Sequence, residues 1–263
     1  MRDLLEFQLE LSRERQPYAI ATVVEILGSS SAKASAKALF DASGKLLAGW
    51  IGGGCAQNIV ADTALKCLAD GESRVIEVDL NDEVFGAGMP CGGSMRVYVE
   101  PMLPKPQLWL MGHGRIVETL CEFGSRLGFD VIVDDAQATP ERFPDARRLI
   151  NNDQRYQQLQ PQAGDSVVIA THHKGDYDSL IQALNSEAVY IALVSSRKRA
   201  QLVLARLASE GVEPQSLARI RAPAGLDLAA KLPEEIALAI AAELVAVRRG
   251  GNGSPLSRPI DDG

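Results

Sequence analysis

The chain has 263 residues, of which 46% are hydrophobic and 23% charged, an ordinary globular composition with ample material for one large or two small cores. Its formal net charge of −7 speaks against a general nucleic-acid or membrane-surface binder, either of which favours a basic face. No apolar run approaches the roughly 20 residues of a membrane span, and the start MRDLLEFQLELSRERQ lacks the basic and apolar regions of an export signal.

In the first hundred residues, Leu4, Phe7 and Leu11 recur at helical spacing, which predicts an amphipathic helix over Asp3–Arg15. Tyr18–Leu27, rich in β-branched and apolar residues, reads as a strand. The polar stretch GSSSAKASAK follows, then a second strand through Lys45–Trp50, the triple glycine Gly52-Gly53-Gly54 with Cys55, and a helix over Asn58–Ala69. Strands over Arg74–Leu80 and Ser94–Glu100 flank a second glycine-rich loop, GAGMPCGG. Pro101, Pro104 and Pro106 can continue neither a helix nor a central strand and mark a domain boundary.

Beyond the prolines the pattern becomes regular β–α alternation. Leu108–Met111, Phe129–Val133, Val167–Ala170 and Val189–Val194 read as strands. A helix over Arg115–Leu127 carries Ile116, Leu120, Phe123 and Leu127 on one face, with Gly128 placed as its C-terminal cap. The last helix opens at Pro233, with Glu234 and Glu235 behind it and Arg248 and Arg249 at its end, as the helix dipole prefers. The expected fold is therefore α/β: a mixed α+β domain over 1–102, a Rossmann-type parallel-sheet domain over 107–249, and a mobile tail over 250–263.

Several positions are candidates for ligand contact. Gly112-His113-Gly114 stands between a strand and a helix, where glycines let the backbone approach a phosphate. Asp134, about 20 residues on, occupies the place of a ribose-binding acid. The third position of a dinucleotide fingerprint is Val117, which weakens the case for NAD(P). Gly53-Gly54-Cys55 and Cys91-Gly92-Gly93 each set a cysteine in a glycine-rich turn, where exposed N–H groups stabilise anionic ligands and a thiolate. Soft thiolates suit molybdenum, copper or a sulfur-transfer step better than hard cations, so Cys55 and Cys91 are the metal-site candidates. Cys67 and Cys121 fall in apolar helix patterns and read as core; without CxxC spacing all four cysteines should be thiols in a cytoplasmic protein. His172 and His173 follow a strand of the parallel sheet, with Asp176 and Asp178 as helix caps or histidine partners. Ser196 and Arg197 follow Ser195 at the next strand end and suit an anionic group. No residue stands out as catalytic.

Together these segments resemble the XdhC/CoxI family, accessory proteins that mature xanthine dehydrogenase and related molybdenum hydroxylases. The matching stretches are GSS at Gly28–Ser30, GWIGGGC at Gly49–Cys55, GMPCGG at Gly88–Gly93, GHGRIV at Gly112–Val117, VDD at Val133–Asp135, THHKGDYD at Thr171–Asp178, SSRKR at Ser195–Arg199 and PAGLDLAAKLPEEIALAIAAE at Pro223–Glu243. The resemblance implies a chaperone that binds molybdenum cofactor, as molybdopterin or its dinucleotide, protects it during sulfuration and delivers it to an apo molybdenum hydroxylase. It further implies a cysteine desulfurase as sulfur donor, with Cys55 and Cys91 at the cofactor site. A homodimer is the expected assembly, two-fold dimers being the commonest. The chain departs from the family where Ser31-Ala32 replace a Pro-Arg pair and Gln57 replaces a glutamate. The competing reading is an NAD(P)-dependent oxidoreductase using Gly112, Gly114 and Asp134; a thiol-redox or metal-handling role fits less well.

Overall fold

A computed structural model of the chain describes residues 4–28, 32–79, 93–171 and 175–257, which divide between two compact units, Met1–Pro104 and Lys105–Gly263.

The first unit contains helix α1 (Leu4–Arg13), strands β1 (Tyr18–Gly28), β2 (Lys37–Asp41) and β3 (Leu46–Gly49), helix α2 (Gly54–Asp70), and strands β4 (Arg74–Asp79) and β5 (Gly93–Met102). The strands form an antiparallel sheet in the order β3-β2-β1-β5-β4. α2 covers one face, burying Val60, Ala64 and Cys67 against Ala19, Ala21, Val23, Phe40, Val97 and Val99. The apolar stripe of α1 packs near Tyr18, Ile20 and Leu39.

Three local expectations need correction. β2 (Lys37–Asp41) joins Lys37, the last residue of the polar stretch, to four residues that the sequence reading assigned to no element; it forms because Ala38, Leu39 and Phe40 are all fully buried and pair with β1. α2 begins at Gly54 and not at Asn58, which puts Cys55 in a helical first turn. Gly53 serves as N-cap in an extended conformation, so the glycines start the helix instead of forming a separate turn. Pro101 lies inside the central strand β5, paired with Ala19. β4 reaches only to Val99, so the missing N–H of Pro101 leaves no ladder bond unmade on that side.

The second unit contains β6 (Gln107–Gly112), α3 (Arg115–Arg126), β7 (Asp130–Asp134), β8 (Arg148–Ile150), β9 (Ser166–Ala170), α4 (Asp176–Leu184), β10 (Tyr190–Leu193), α5 (Arg197–Ser209), α6 (Pro214–Leu217), β11 (Ile220–Arg221) and α7 (Pro233–Arg249). Its sheet is parallel throughout and runs β11-β10-β9-β6-β7-β8. That order is the 3-2-1-4-5-6 arrangement of a doubly wound dinucleotide fold, with β6 as the first strand. α3 and α7 cover one face, where Leu120, Ile240 and Leu244 meet Leu108, Leu110, Val131 and Val133. α4 and α5 cover the other, where Leu180, Val203 and Leu207 meet Trp109, Val167 and Ile169. Each fully buried leucine or isoleucine of these layers contributes about 2 kcal/mol. Among the described residues no helix is long and apolar enough to cross a membrane.

Candidate functional site

The strand order reverses between β6 and β9, and the glycine loop stands at that switch point, where open α/β sheets hold their ligands. Gly112 ends β6 with φ +119°, and a Cβ there would stand 2.2 Å from the Ala170 carbonyl oxygen on β9. Only glycine fits so close a passage. Gly114, with φ +98°, is the N-cap of α3 and offers no capping side chain. The first N–H groups of α3 therefore have no partner within the helix and concentrate its positive dipole end. They border a cavity of about 280 Å³ lined by His113, Gly114, Arg115, Ile116, Ala170, Val194 and Pro233. At its rim Arg115 donates to Glu234 across 2.7 Å, tying the starts of α3 and α7 together.

His113 is held in one orientation. Its Nδ1 lies 3.0 Å from Oδ2 of Asp135, and its Nε2 lies 3.3 Å from the side-chain amide nitrogen of Gln137. Arg142 donates to the Gln137 Oε1, which leaves the Gln137 N–H group to face the ring. That network assigns the proton to Nδ1 of His113, donating to the carboxylate. The second carboxylate oxygen of Asp135 accepts from the Gln137 backbone N–H at 2.8 Å.

Asp134 is placed quite differently. It is 1% exposed, and neither carboxyl oxygen has a hydrogen-bond partner among the described residues. Burial, reinforced by Asp153 and Asp135 and opposed by Arg148, pushes its carboxyl up to about 7. Pairing of β7 with Met111 on β6 and Ile150 on β8 puts it on the face of Trp109, Ile132 and Tyr156, opposite to Val131 and Val133.

Further along the sheet edge, a cavity of about 480 Å³ shares Val194 with the first and is lined by Ser195, Ser196, Arg197 and residues 223–230. Ser196 is the N-cap of α5, its hydroxyl accepting from the Arg199 N–H. Arg197 is mostly exposed and lies 3.6 Å from Asp227. Glu243 fixes the far wall, accepting from Tyr190 Oη at 2.6 Å, the Gly225 N–H at 2.9 Å and Arg221 at 3.1 Å. Asp176, which the sequence offered as a cap or histidine partner, is buried and accepts from Thr171 and Arg199, linking β9, α4 and α5.

In the first unit, a Cβ on Gly53 or Gly54 would meet nothing within 4 Å among the described residues, and Cys55 in the first turn of α2 is partly exposed. Gly93 begins β5 opposite Gly28. Cys91, Gly92, His172 and His173 lie outside the described residues. Cys67 is fully buried, and burial pushes the Cys121 thiol up to about 12, as suits packing residues. The sequence reading missed Asp135, Gln137 and Glu243, whose roles depend on strand pairing for the first two and on the packing of α7 for Glu243. It also missed Gly124, where a Cβ would stand 2.7 Å from Leu108 on β6; close helix–strand packing occurs there and not at Val117. A glycine inside a helical pattern was the available signal.

A doubly wound parallel sheet with an uncapped helix N-terminus at its switch point defines a Rossmann-type domain. Residues 108–244 match the family described as XdhC Rossmann domain, and residues 11–79 match the XdhC and CoxI family; the chain belongs to this family. Among its relatives, protein YqeB of Escherichia coli (strain K12), described as uncharacterized, is 29% identical over 95% of this chain and 47% of its own length. A Bacillus subtilis (strain 168) protein, described as a probable subunit of xanthine dehydrogenase, is 33% identical over 58% of this chain and 46% of its own. The molybdenum cofactor insertion chaperone PaoD of Escherichia coli (strain K12) is 21% identical over 94% of this chain and 88% of its own. The chain thus spans about half the length of the first two.

Proposed function

We propose that this chain is a maturation factor for a molybdenum hydroxylase: it binds molybdenum cofactor, shields it during sulfuration and passes it to an apo-enzyme of xanthine dehydrogenase type. The observation that carries this reading is the uncapped N-terminus of α3 behind Gly112-His113-Gly114, bordering a cavity at the sheet's switch point. A molybdopterin phosphate is a dianion, and unpaired N–H groups at a positive dipole end are its natural partners. The names of two relatives, one a molybdenum cofactor insertion chaperone and the other a probable part of a xanthine dehydrogenase, point the same way.

The residues present fit such a group. Gly114 and the first turn of α3 would hold the phosphate, His113 would present a fixed imidazole, and Ser196 and Arg197 would meet polar or anionic parts of the ligand. In the first unit, Cys55 in the first turn of α2 is a soft donor suited to molybdenum, and Cys91 is its proposed companion. When bound, the cofactor supplies the metal centre used by the client; the chain's own residues bind, orient and exclude water. Sulfuration by a cysteine desulfurase and assembly as a homodimer belong to the same proposal, as does a cytoplasmic location.

The test is transfer. Purified chain loaded anaerobically with molybdenum cofactor should activate an apo molybdenum hydroxylase faster than free cofactor does, and should turn over no NAD(P)H by itself. Activation no faster than with free cofactor would remove the chaperone reading.

A further inference from the structure

We infer that the glycine-loop site takes a phosphomonoester bearing no nucleotide, because both carboxylates at the end of β7 are withdrawn from the ligand. This deepens the maturation-factor reading and rests on it.

In a dinucleotide fold the acid ending the second strand accepts hydrogen bonds from the ribose hydroxyls. Here two acids stand at that point. Asp134 is 1% exposed and forms no part of either cavity wall described above. Its direction is fixed by ladder pairing on both sides, to Met111 and to Ile150, since strand side chains alternate strictly between faces. Turning it towards a ligand would require a one-residue slip of a strand held between two neighbours, and that slip would expel Ile132 from the core beside it. Asp135 is on the other side but already committed: one oxygen binds His113 Nδ1 and the other the Gln137 N–H, and its side chain is only 14% exposed. A ribose diol would have to displace His113 to reach it.

Among the described residues, the two cavities run the other way. From the start of α3 the first cavity passes Ala170 to Val194, and the second continues from Val194 past Ser195 and Ser196 to Gly225 and Asp227. A ligand anchored by a terminal phosphate at α3 would extend its heterocycle over β9 and β10, away from the described residues at the end of β7. The selectivity is thus built from strand register and from the His113–Asp135 pair.

Equilibrium dialysis under anaerobic conditions tests this on the full chain, using molybdopterin, its cytosine dinucleotide form and NADH as probes. The expected result is binding of the molybdopterin form at least tenfold tighter than the dinucleotide form, with no saturable binding of NADH. Asp134→Asn, which keeps the side-chain shape, should alter neither affinity by more than about twofold. Equal or tighter binding of the dinucleotide form would overturn the inference and leave the maturation-factor reading standing. So would a tenfold loss of dinucleotide binding in Asp134→Asn, since that would make the carboxylate a ribose contact. Failure to bind either pterin form would overturn both.

Discussion

Gly112 and Ala170 pass so closely that a methyl group on the glycine would stand 2.2 Å from the Ala170 carbonyl oxygen. This contact joins the ends of β6 and β9 at the switch point and sets the position of His113 and of the start of α3. Gly112→Ala combines that clash with a positive φ that alanine disfavours, and should destabilise the second unit by about 3 kcal/mol or more. Urea unfolding measures it; a loss below about 1 kcal/mol would mean the strands can part without cost.

Asp134 predicts a pH dependence of stability. Its carboxyl is raised to about 7 from an ordinary 3.8, so the fold favours the protonated form. The stability contribution is fully present below pH 3.8 and is lost as pH rises through 7, because ionisation then places an unpaired charge in an apolar site. Asp134→Asn removes that loss. The variant should match the wild type near pH 4 and exceed it at pH 8 by a few kcal/mol, read as a Tm difference that grows with pH. A constant difference across that range would show that the carboxyl ionises without penalty.

The His113–Asp135 pair gives a binding prediction. Asp135→Ala frees the imidazole and removes the acceptor for the Gln137 N–H. Stability should fall by about 1–2 kcal/mol and cofactor retention by tenfold or more, since a ring no longer oriented must be ordered on binding. His113→Ala should reproduce the retention loss, and a double variant no worse than either single one would confirm that the two act as a unit.

Glu243 is the brace behind the second cavity. Glu243→Ala would strand the Tyr190 hydroxyl, the Gly225 N–H and Arg221. The expected cost is about 2–4 kcal/mol by chemical unfolding, the range for losing one partner of a buried charged network. Glu243→Gln, which keeps the acceptor oxygen, should recover part of it.

The α/β alternation after Pro106 was legible because Leu108–Met111 and Val167–Ala170 are continuous apolar runs, Phe129–Val133 is interrupted only by Asp130, and amphipathic helix patterns separate them. The glycine loop was legible for the same reason, as punctuation between a strand and a helix. The side on which Asp134 lies was not, because facing is decided by pairing with Met111 and Ile150, which sequence spacing cannot specify. The His113–Asp135 contact joins positions 22 residues apart and depends on β6 and β7 lying side by side. In the first unit, β1 was readable from its β-branched and apolar residues, but β2 was hidden by the small and polar residues preceding Ala38. The start of α2 at Gly54 ran against the poor helix propensity of glycine, overridden here by packing of Ala56 and Val60 on the sheet.

The most direct test of the central claim is the pterin content of the protein itself. The chain would be purified anaerobically from cells that synthesise molybdenum cofactor, and its molybdenum and oxidised fluorescent pterin measured per chain, beside Cys55→Ser and Gly114→Val. The account predicts near-stoichiometric pterin in the wild type, most of it lost in Gly114→Val, and reduced molybdenum in Cys55→Ser with the fold intact. Wild-type protein free of pterin and molybdenum, from cells whose other molybdenum enzymes are loaded, would contradict it.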